Sequence, residues 1–336
     1  MKRKIEIWNL ALRVLVLAAI FALMIGFATP SYAARDILLP AGTGTVWHGV
    51  WLPTGRTISA SAITTFESQA GKKVGVEIYY VGWYINAWAD IQRQINVWGP
   101  MGIKTHVTWE PNLKNGGDPL AAILSGSENA IIDDFATKAK AYGQPFFLRF
   151  AHEMNGNWYA WSGANTGSNP QKYIDAWRYV WNRFQAIGAT NVVWVWSPNW
   201  NSVPTNSWNN LQNYYPGDAY VDWVGVDFYG LKYDDIPVAT NLDSVYIPYS
   251  ATKPIMIAET SAADCANYGA GTTHTKDQWI NDLFTTLANR PAVRAFIWFN
   301  ENKTGEANWT LASCPSPAAQ NAYRAGVANS RYVTRP

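Results

Sequence analysis

Eight short runs of apolar, β-branched and aromatic residues recur along the chain, and several are separated by segments of helical periodicity. Many of these runs are almost continuously apolar, which is typical of parallel strands that are buried on both faces. The predicted strands are Val46–Trp51, Val74–Tyr80, Ile103–Trp109, Pro145–Phe150, Val192–Trp196, Trp223–Asp227, Ile255–Ala258 and Val293–Phe299.

Helical stripes with recognisable ends lie between some of these strands. The predicted helices are Glu128–Tyr142, a segment that opens at Asn169-Pro170 and ends at Gly188, and Thr275–Asn289. Asparagine is a preferred helix cap, and proline is favoured in the first turn. Alternation of strands and helices predicts a parallel α/β fold. Eight strands favour a single-domain (β/α)8 TIM barrel over the alternative, an open doubly wound sheet.

The first residues resemble an export signal. Lys2, Arg3 and Lys4 precede an apolar run from Val14 to Phe27, and small residues follow near position 33. This run is shorter than the roughly 20 apolar residues that a membrane-spanning helix needs. We therefore predict a signal peptide at 1–33, a catalytic domain at 34–336, and a secreted or periplasmic protein without a membrane segment after cleavage. The alternative is an uncleaved anchor.

Composition points away from nucleic acid and towards sugars. The net charge of +2 includes +3 from residues 1–33, so residues 34–336 carry about −1, and no basic stripe is visible. The chain has 19 Trp and 18 Tyr, which is more than a core needs. Indole and phenol rings are suited to lie flat against sugar faces, although part of this set must be core.

Two glutamates follow predicted strands four and seven. If period-two alternation persists beyond Phe150, Arg149 and Glu153 share a face that points into the barrel. Glu259 follows the apolar run Ile255–Ala258. Strands four and seven lie on opposite sides of a small barrel, so the two carboxyl groups can converge across a cleft. Glycosidic cleavage requires such a pair, one protonated and one ionised.

Further candidates lie at the ends of strands three, six and eight. Asp227 and Tyr229 alternate onto one face, where the Tyr229 hydroxyl could hold a neighbouring carboxylate. Trp298 could floor a sugar subsite, or it could be a core residue. Glu110 follows strand three and would place another acid near the mouth, as a possible ligand of sugar hydroxyls.

The segment 152–158, His-Glu-Met-Asn-Gly-Asn-Trp, resembles the strand-four signature of glycoside hydrolase family 26. Asp227-Phe228-Tyr229, Ala258-Glu259 and Trp298 are similar to other landmarks of that family, in the same strand order. The resemblance implies a barrel with catalytic glutamates on strands four and seven.

Site roles follow from the resemblance by position. It implies that Glu153 is the general acid/base and that Glu259 is the nucleophile of a retaining double displacement. The other expected residues are His152, Tyr229, Arg149 and Asp227 in support of the carboxylates, and Trp158, Trp298, Asn155, Trp161 and Glu110 in contact with substrate.

The expected function is that of a retaining endo-β-glycanase. The resemblance favours β-1,4-mannan as the substrate, with mixed-linkage β-1,3-1,4-glucan and β-xylan as alternatives. A different class would be a non-catalytic glycan-binding protein or a partner in polysaccharide export, for which Glu153, Glu259 and Tyr229 together would not be needed. We expect a monomer whose partner is the polysaccharide, with no metal or cofactor: the pair His152-Glu153 lacks the second histidine of a zinc-protease motif.

Two cysteines follow strands seven and eight. Loops after neighbouring strands lie side by side in a barrel, and export favours oxidation. A Cys265–Cys314 disulfide is therefore predicted, and two free thiols are the alternative.

Overall fold

Eight parallel strands form a closed barrel, because the first strand pairs with both the second and the eighth. The computed structural model describes residues 36, 38–53, 59–84, 87–230, 236–263, 275–314 and 316–335. The strands are β1 (Val46–Trp51), β2 (Val76–Gly82), β3 (Lys104–Glu110), β4 (Phe146–Phe150), β5 (Val192–Trp196), β6 (Trp223–Gly230), β7 (Ile255–Ala262) and β8 (Val293–Phe299). The predicted (β/α)8 barrel is confirmed, and the open sheet is excluded.

Helices connect the strands and cover the outside of the barrel. Those in the described residues are α1 (Ala60–Ala70), α2 (Ala87–Trp98), α3 (Pro119–Ser125), α4 (Asn129–Tyr142), α5 (Pro170–Ile187), α6 (Val238–Tyr249), α7 (Lys276–Ala288) and α8 (Ala318–Val327). The Asn169 side chain caps α5 by accepting a hydrogen bond from the backbone of Gln171, as its position before Pro170 predicts.

Three strands depart from their predicted bounds by two residues or more, whereas β3 and β4 differ by no more than one residue at either end. Strand β2 begins two residues later than expected and continues to Gly82. Strands β6 and β7 run on past the first acidic residue and stay paired as far as Gly230 and Ala262. These added strand residues include polar ones because the carboxyl ends of the strands line the barrel mouth, where side chains can contact solvent or substrate.

Side chains alternate between the barrel interior and the layer beneath the helices. The interior is packed by a buried apolar set that includes Phe147, Val193, Val195, Trp223, Met256, Ala258, Ala295 and Ile297. The next inward-facing layer, nearer the carboxyl ends of the strands, contains the buried polar residues Arg149, Ser197 and Asp227. The polar site therefore lies directly on top of an apolar plug.

Some predictions fall outside the described residues. These are the signal peptide at 1–33 and Cys265. Within the described part of the chain, no helix is both long enough and apolar enough to cross a membrane.

Candidate active site

A sharp backbone turn, rather than a continued strand, places Glu153. Strand β4 ends at Phe150, and both Ala151 and Glu153 adopt positive φ angles of 46° and 50°. A non-glycine residue in this region carries strain on the order of 1 kcal/mol. Backbone hydrogen bonds hold the turn, from Ala151 N to Trp109 O and from Glu153 N to Ser197 O. The strand does not persist to Glu153, so alternation does not place this residue, and the turn instead brings its carboxyl group to the mouth.

A β-bulge places Glu259. Val226 pairs with Ile257, but Asp227 pairs with Glu259, so Ala258 is an extra residue in β7. Met256 and Ala258 face the interior, whereas Ile257 packs on the outside. In a regular strand, Glu259 would face the same side as Ile257, which is the outside of the barrel. The bulge turns the glutamate to the barrel mouth, as bulges near active sites often do.

Two strong donors hold the Glu259 carboxylate. Arg149 Nη2 lies 2.5 Å from its Oε1, and the Tyr229 hydroxyl donates to its Oε2 at 2.6 Å. Arg149 also contacts Asp227 at 2.8 Å, and its Nε and Nη2 both donate to the Thr108 hydroxyl. Burial opposes the charge of Arg149, but Asp227 and Glu259 together raise its pKa well above the ordinary value. The guanidinium therefore stays cationic beside Glu259.

Glu153 has a different environment. Within the described part of the chain, its side-chain partner is the indole of Trp158, whose Nε1 donates to Oε2 at 2.8 Å. Burial and the nearby Glu259 raise the pKa of Glu153 to about 8, against the lowering effects of the Trp158 hydrogen bond, Arg149 and Lys303. Glu153 is therefore protonated at neutral pH, as a general acid must be.

His152 is fully buried beside Glu259. Its Nε2 lies 3.0 Å from the Tyr159 hydroxyl and 3.9 Å from Glu259 Oε1. Burial and Arg149 lower the pKa of His152 well below its ordinary value, so the ring is neutral. Tyr159 was not singled out from the sequence, because its aromatic neighbours in the loop give no signal that distinguishes it.

Aromatic rings line the cleft above the carboxyl groups. The cleft has a volume of about 760 Å³, and its rings are Trp51, Tyr80, Trp158, Tyr159, Trp200, Tyr229, Phe299 and Trp309. Trp158 lines this cleft and is exposed at its mouth, and its contact with substrate stays a prediction. Trp51 could have been found from the sequence, because it shares the inward phase of Trp47 on β1. Trp200 and Trp309 lie in loops, where alternation gives no guide.

Three predicted substrate contacts are wrong. Trp298 is fully buried and packs on Trp279 and Tyr323, because Phe299 takes the inward position at the end of β8. Trp161 is also buried; its Nε1 donates to His152 O at 2.7 Å. Asn155 is buried as well, and its amide bonds to the loop after β5 rather than to the cleft. Trp161 and Asn155 instead hold the turn that carries Glu153.

Glu110 lies near the site without lining the cleft. It ends β3 and is half-buried, and burial is the main reason that its pKa rises to about 7, with Arg149 opposing and Glu259 adding to the rise. Cys314 is disulfide-bonded, and Cys265, its predicted partner, lies outside the described residues.

Comparison with known proteins places these features in a family. The sequence model of glycosyl hydrolase family 26 matches residues 118–265, which include the turn after β4 and the bulge in β7. Endoglucanase H of Acetivibrio thermocellus is 32% identical over 83% of this chain. A mannan endo-1,4-beta-mannosidase of Bacillus subtilis is 29% identical over 43% of the chain. The chain spans about 30% of the length of Endoglucanase H and 37% of that mannosidase.

Solved structures support the fold. An endo-beta-1,4-mannanase double mutant of Cellulomonas fimi superimposes with a TM-score of 0.67 at 19% identity, covering 92% of this chain and 77% of the other. The beta-mannanase BoMan26A of Bacteroides ovatus gives a TM-score of 0.66 at 18% identity, with coverage of 92% and 95%. At these identities the likeness concerns the fold alone.

Proposed function

We propose that this chain, which belongs to glycosyl hydrolase family 26, is an endo-β-glycanase that hydrolyses a neutral β-linked polysaccharide with retention of configuration. The observation that carries the proposal is the pair of carboxyl groups in one cleft with opposite environments. Glu153 is buried with a raised pKa, and Glu259 is held by the Arg149 cation and the Tyr229 hydroxyl. Such a division is what glycosidic cleavage requires.

The proposed reaction has two steps. Glu259 attacks the anomeric carbon while Glu153 gives its proton to the departing glycosidic oxygen, and a covalent glycosyl-enzyme forms. Glu153, now ionised, removes a proton from water as the water attacks the anomeric carbon and releases Glu259. Arg149 and Tyr229 bond the Glu259 oxygens, and so they orient the carboxylate for attack.

The charge of the cleft favours a neutral polymer. Four glutamates line it, Glu153, Glu259, Glu301 and Glu306, and the one lysine among its described lining residues, Lys303, is paired with Glu306 at 2.8 Å. A polysaccharide of uronic acids would meet no unpaired cation among these lining residues, because Glu306 already pairs with Lys303. The aromatic rings supply stacking surfaces for neutral sugars.

Among neutral polymers, we propose a β-glucan with β-1,4 linkages first and β-mannan second. The relative that aligns with 83% of this chain is named an endoglucanase, whereas the B. subtilis mannosidase aligns with 43%. This order reverses the expectation from the sequence, which favoured mannan. The β-1,3-xylanase of a Vibrio species, 30% identical over 41% of this chain, makes xylan a third substrate to test.

We also propose export, on the strength of the basic and apolar residues that open the sequence. A polymeric substrate outside the cell would be consistent with it. Expression of the full chain, followed by N-terminal sequencing of the protein in the culture medium, tests this. Cleavage after residue 33 is expected, and retention of the intact chain in the cells would contradict it.

The activity is tested by incubating the protein with barley-type β-glucan, glucomannan, galactomannan, β-1,3-xylan and β-1,4-xylan. We expect a rapid fall in viscosity with slow release of reducing ends, which indicates internal cleavage, and proton NMR should show the β-anomer first. Glu259→Ala should abolish hydrolysis. A folded protein that binds these polymers without cutting any of them would favour the glycan-binding alternative.

A further inference from the structure

A second, open groove of about 400 Å³ adjoins the catalytic cleft and shares Trp200 with it. Trp200 is half-buried, and its backbone N–H donates to the backbone carbonyl of Asp227 at 3.1 Å, which ties the main chain that carries the ring to β6. The remainder of the groove is formed by the segment that follows β5. A ligand that lies on Trp200 can therefore contact both spaces.

The groove continues the cleft in the direction that a polymer would take. Glu153 and Glu259 extend from β4 and β7, with β5 and β6 between them on one side of the barrel and β8, β1, β2 and β3 on the other. A chain that passes between the two carboxyl groups must leave the mouth over each of these sides. Trp51 stands on the β8–β1 side, together with the short antiparallel hairpin of Asn302–Lys303 and Ala307–Asn308 that follows β8. Trp200 and the groove stand on the opposite, β5–β6 side.

The groove has the chemistry of a site for neutral sugars. Besides Trp200 and Leu211, all its lining side chains are amides or hydroxyls, and none carries a formal charge. The Asn206 side chain is exposed and makes no hydrogen bond to the described residues. Asn210 accepts from the backbone of Gln212, which leaves its NH₂ group available, and Gln212 donates only at 3.5 Å, to Ser244 O. Amides offer both donors and acceptors, and sugar hydroxyls need both.

The segment is held rigidly, and the anchor is Asn155. The Asn155 amide donates to Asn199 O at 2.8 Å and to Ser202 Oγ at 3.2 Å, and its backbone carbonyl accepts from Val203 N and from the buried Asn209 side chain. Asn155 lies two residues after Glu153, so the groove and the proposed acid are parts of one hydrogen-bonded unit. A pre-formed loop loses little conformational entropy on binding, which strengthens binding.

We infer that this groove is an additional carbohydrate subsite, which takes neutral sugar residues of the polymer beyond those between the two glutamates. The inference rests on the proposed function and adds to it a dependence on chain length. The amides of Asn206 and Gln212 bond sugar hydroxyls, and Trp200 carries the chain from the cleft into the groove. Short oligosaccharides that end at Trp200 do not reach these amides.

The test measures kcat/KM for a series of oligosaccharides of increasing length, prepared from whichever polymer the protein cleaves and labelled at the reducing end. The double variant Asn206→Ala/Gln212→Ala removes both amides. Asn321→Ala on α8, an exposed amide on a remote helix, is the matched control. The wild-type protein should show a rise in kcat/KM when the chain becomes long enough to enter the groove. In the double variant the rise in kcat/KM should be about tenfold smaller, mostly because KM for the long chains is higher, since two hydrogen bonds are removed.

Each outcome separates the two proposals. If the wild type, the double variant and the control all hydrolyse the oligosaccharides with the same dependence on chain length, the subsite proposal is overturned and the proposed function stands. An equal loss at every length would also overturn it, because the amides would then act on the catalytic centre. If the wild-type protein hydrolyses none of the polymers, the proposed function fails first and the subsite with it. The end label shows on which side of the cleaved bond the groove lies.

Discussion

At the scale of single residues, the two glutamates are distinguished by one cation. Arg149 contacts Glu259 and Asp227, and its fully buried guanidinium has acceptors for Nε, Nη1 and Nη2. Within the described residues, the Glu153 carboxyl group receives one side-chain hydrogen bond, from the Trp158 indole N–H, and the nearby charge of Glu259 disfavours its ionisation. A buried carboxyl group without a cation in contact stays protonated more readily than one with such a partner. The assignment of acid and nucleophile follows from these contacts.

This assignment predicts how loss of the acid depends on the leaving group. Glu153→Ala should reduce kcat on polysaccharide by roughly 10²–10⁴-fold, because an alkoxide leaves poorly without a proton. Aryl glycosides with an acidic phenol need no such proton, so the first step should survive and a burst of phenol should appear in stopped-flow absorbance. Glu259→Ala is the paired variant and should show no burst. Equal losses on both substrates for Glu153→Ala would contradict the role of Glu153.

The same environment predicts the alkaline limb of the pH profile. The proposed acid must be protonated, so kcat/KM should fall as pH rises through about 8, the pKa of Glu153. The Trp158 hydrogen bond and the Lys303 charge both favour the ionised form of Glu153. Trp158→Phe and Lys303→Met should therefore each raise this pKa and move the limb upward, by roughly half a pH unit or more for the hydrogen bond.

The pH measurement distinguishes this effect from a loss of substrate binding. Trp158 also lines the cleft, so KM will rise in its variant, but a binding effect alone leaves the position of the limb unchanged. Lys138→Met, an exposed lysine on α4, serves as the control for the removal of a positive charge. A downward movement of the limb in either cleft variant would refute the stated electrostatics.

At the scale of elements, both glutamates depend on departures from regular strands. Alternation along the sequence correctly predicts Arg149, Asp227 and Tyr229 on inward faces, because β4 and β6 are regular up to those residues. It fails for Glu153, where a left-handed turn intervenes, and it could not foresee the extra residue Ala258 in β7. A bulge depends on pairing with the neighbouring strand, and this information is not local in sequence.

The turn after β4 is expected to depend on Asn155. Asn155→Ala would remove the amide bonds to Asn199, Asn201 and Ser202 and leave buried backbone groups without partners. We expect the free energy of unfolding to fall by about 2–4 kcal/mol, and kcat to fall as well because the loops beside Glu153 loosen. Urea denaturation followed by tryptophan fluorescence measures the first effect. Asn165→Ala, which removes an exposed amide with two backbone bonds in the neighbouring loop, is the control and should cost less.

At the scale of the whole molecule, the closed barrel supports a polar site on an apolar plug. The eight-strand pattern and the family resemblance were sufficient to predict the barrel and the strands that carry the glutamates. They were insufficient for Trp298 and Trp161, because whether an indole packs in the core or faces the cleft depends on its phase at the end of a strand or on the path of a loop. The polar and aromatic loop 200–216 could be placed at the barrel mouth from its position after a strand, but the groove beside Trp200 could not be predicted, since it depends on hydrogen bonds between the loops after β4 and β5.

The buried acid should make the folded protein less stable at high pH. The pKa of Glu153 is about 8 in the folded protein, against 4.5 for an ordinary glutamate, so the folded state binds more protons than the unfolded state between these values. The free energy of unfolding therefore falls as pH rises from about 4.5 to about 8. Below about pH 4.5 and above about pH 8, the contribution of Glu153 to the free energy of unfolding does not change with pH. Glu153→Gln keeps an acceptor for Trp158 but does not titrate.

The variant should consequently be more stable than the wild type by an amount that grows across this window, reaching on the order of 3 kcal/mol near pH 8. Chemical denaturation at half-unit intervals from pH 5 to pH 9 measures the difference directly. Asp134→Asn, which removes an exposed carboxylate paired with Lys138, is the matched control and should show no comparable growth. If Glu153→Gln and the wild type differ by the same amount at every pH, then the Glu153 carboxyl group is not held protonated by the fold, and it would not be preorganised as the acid at neutral pH.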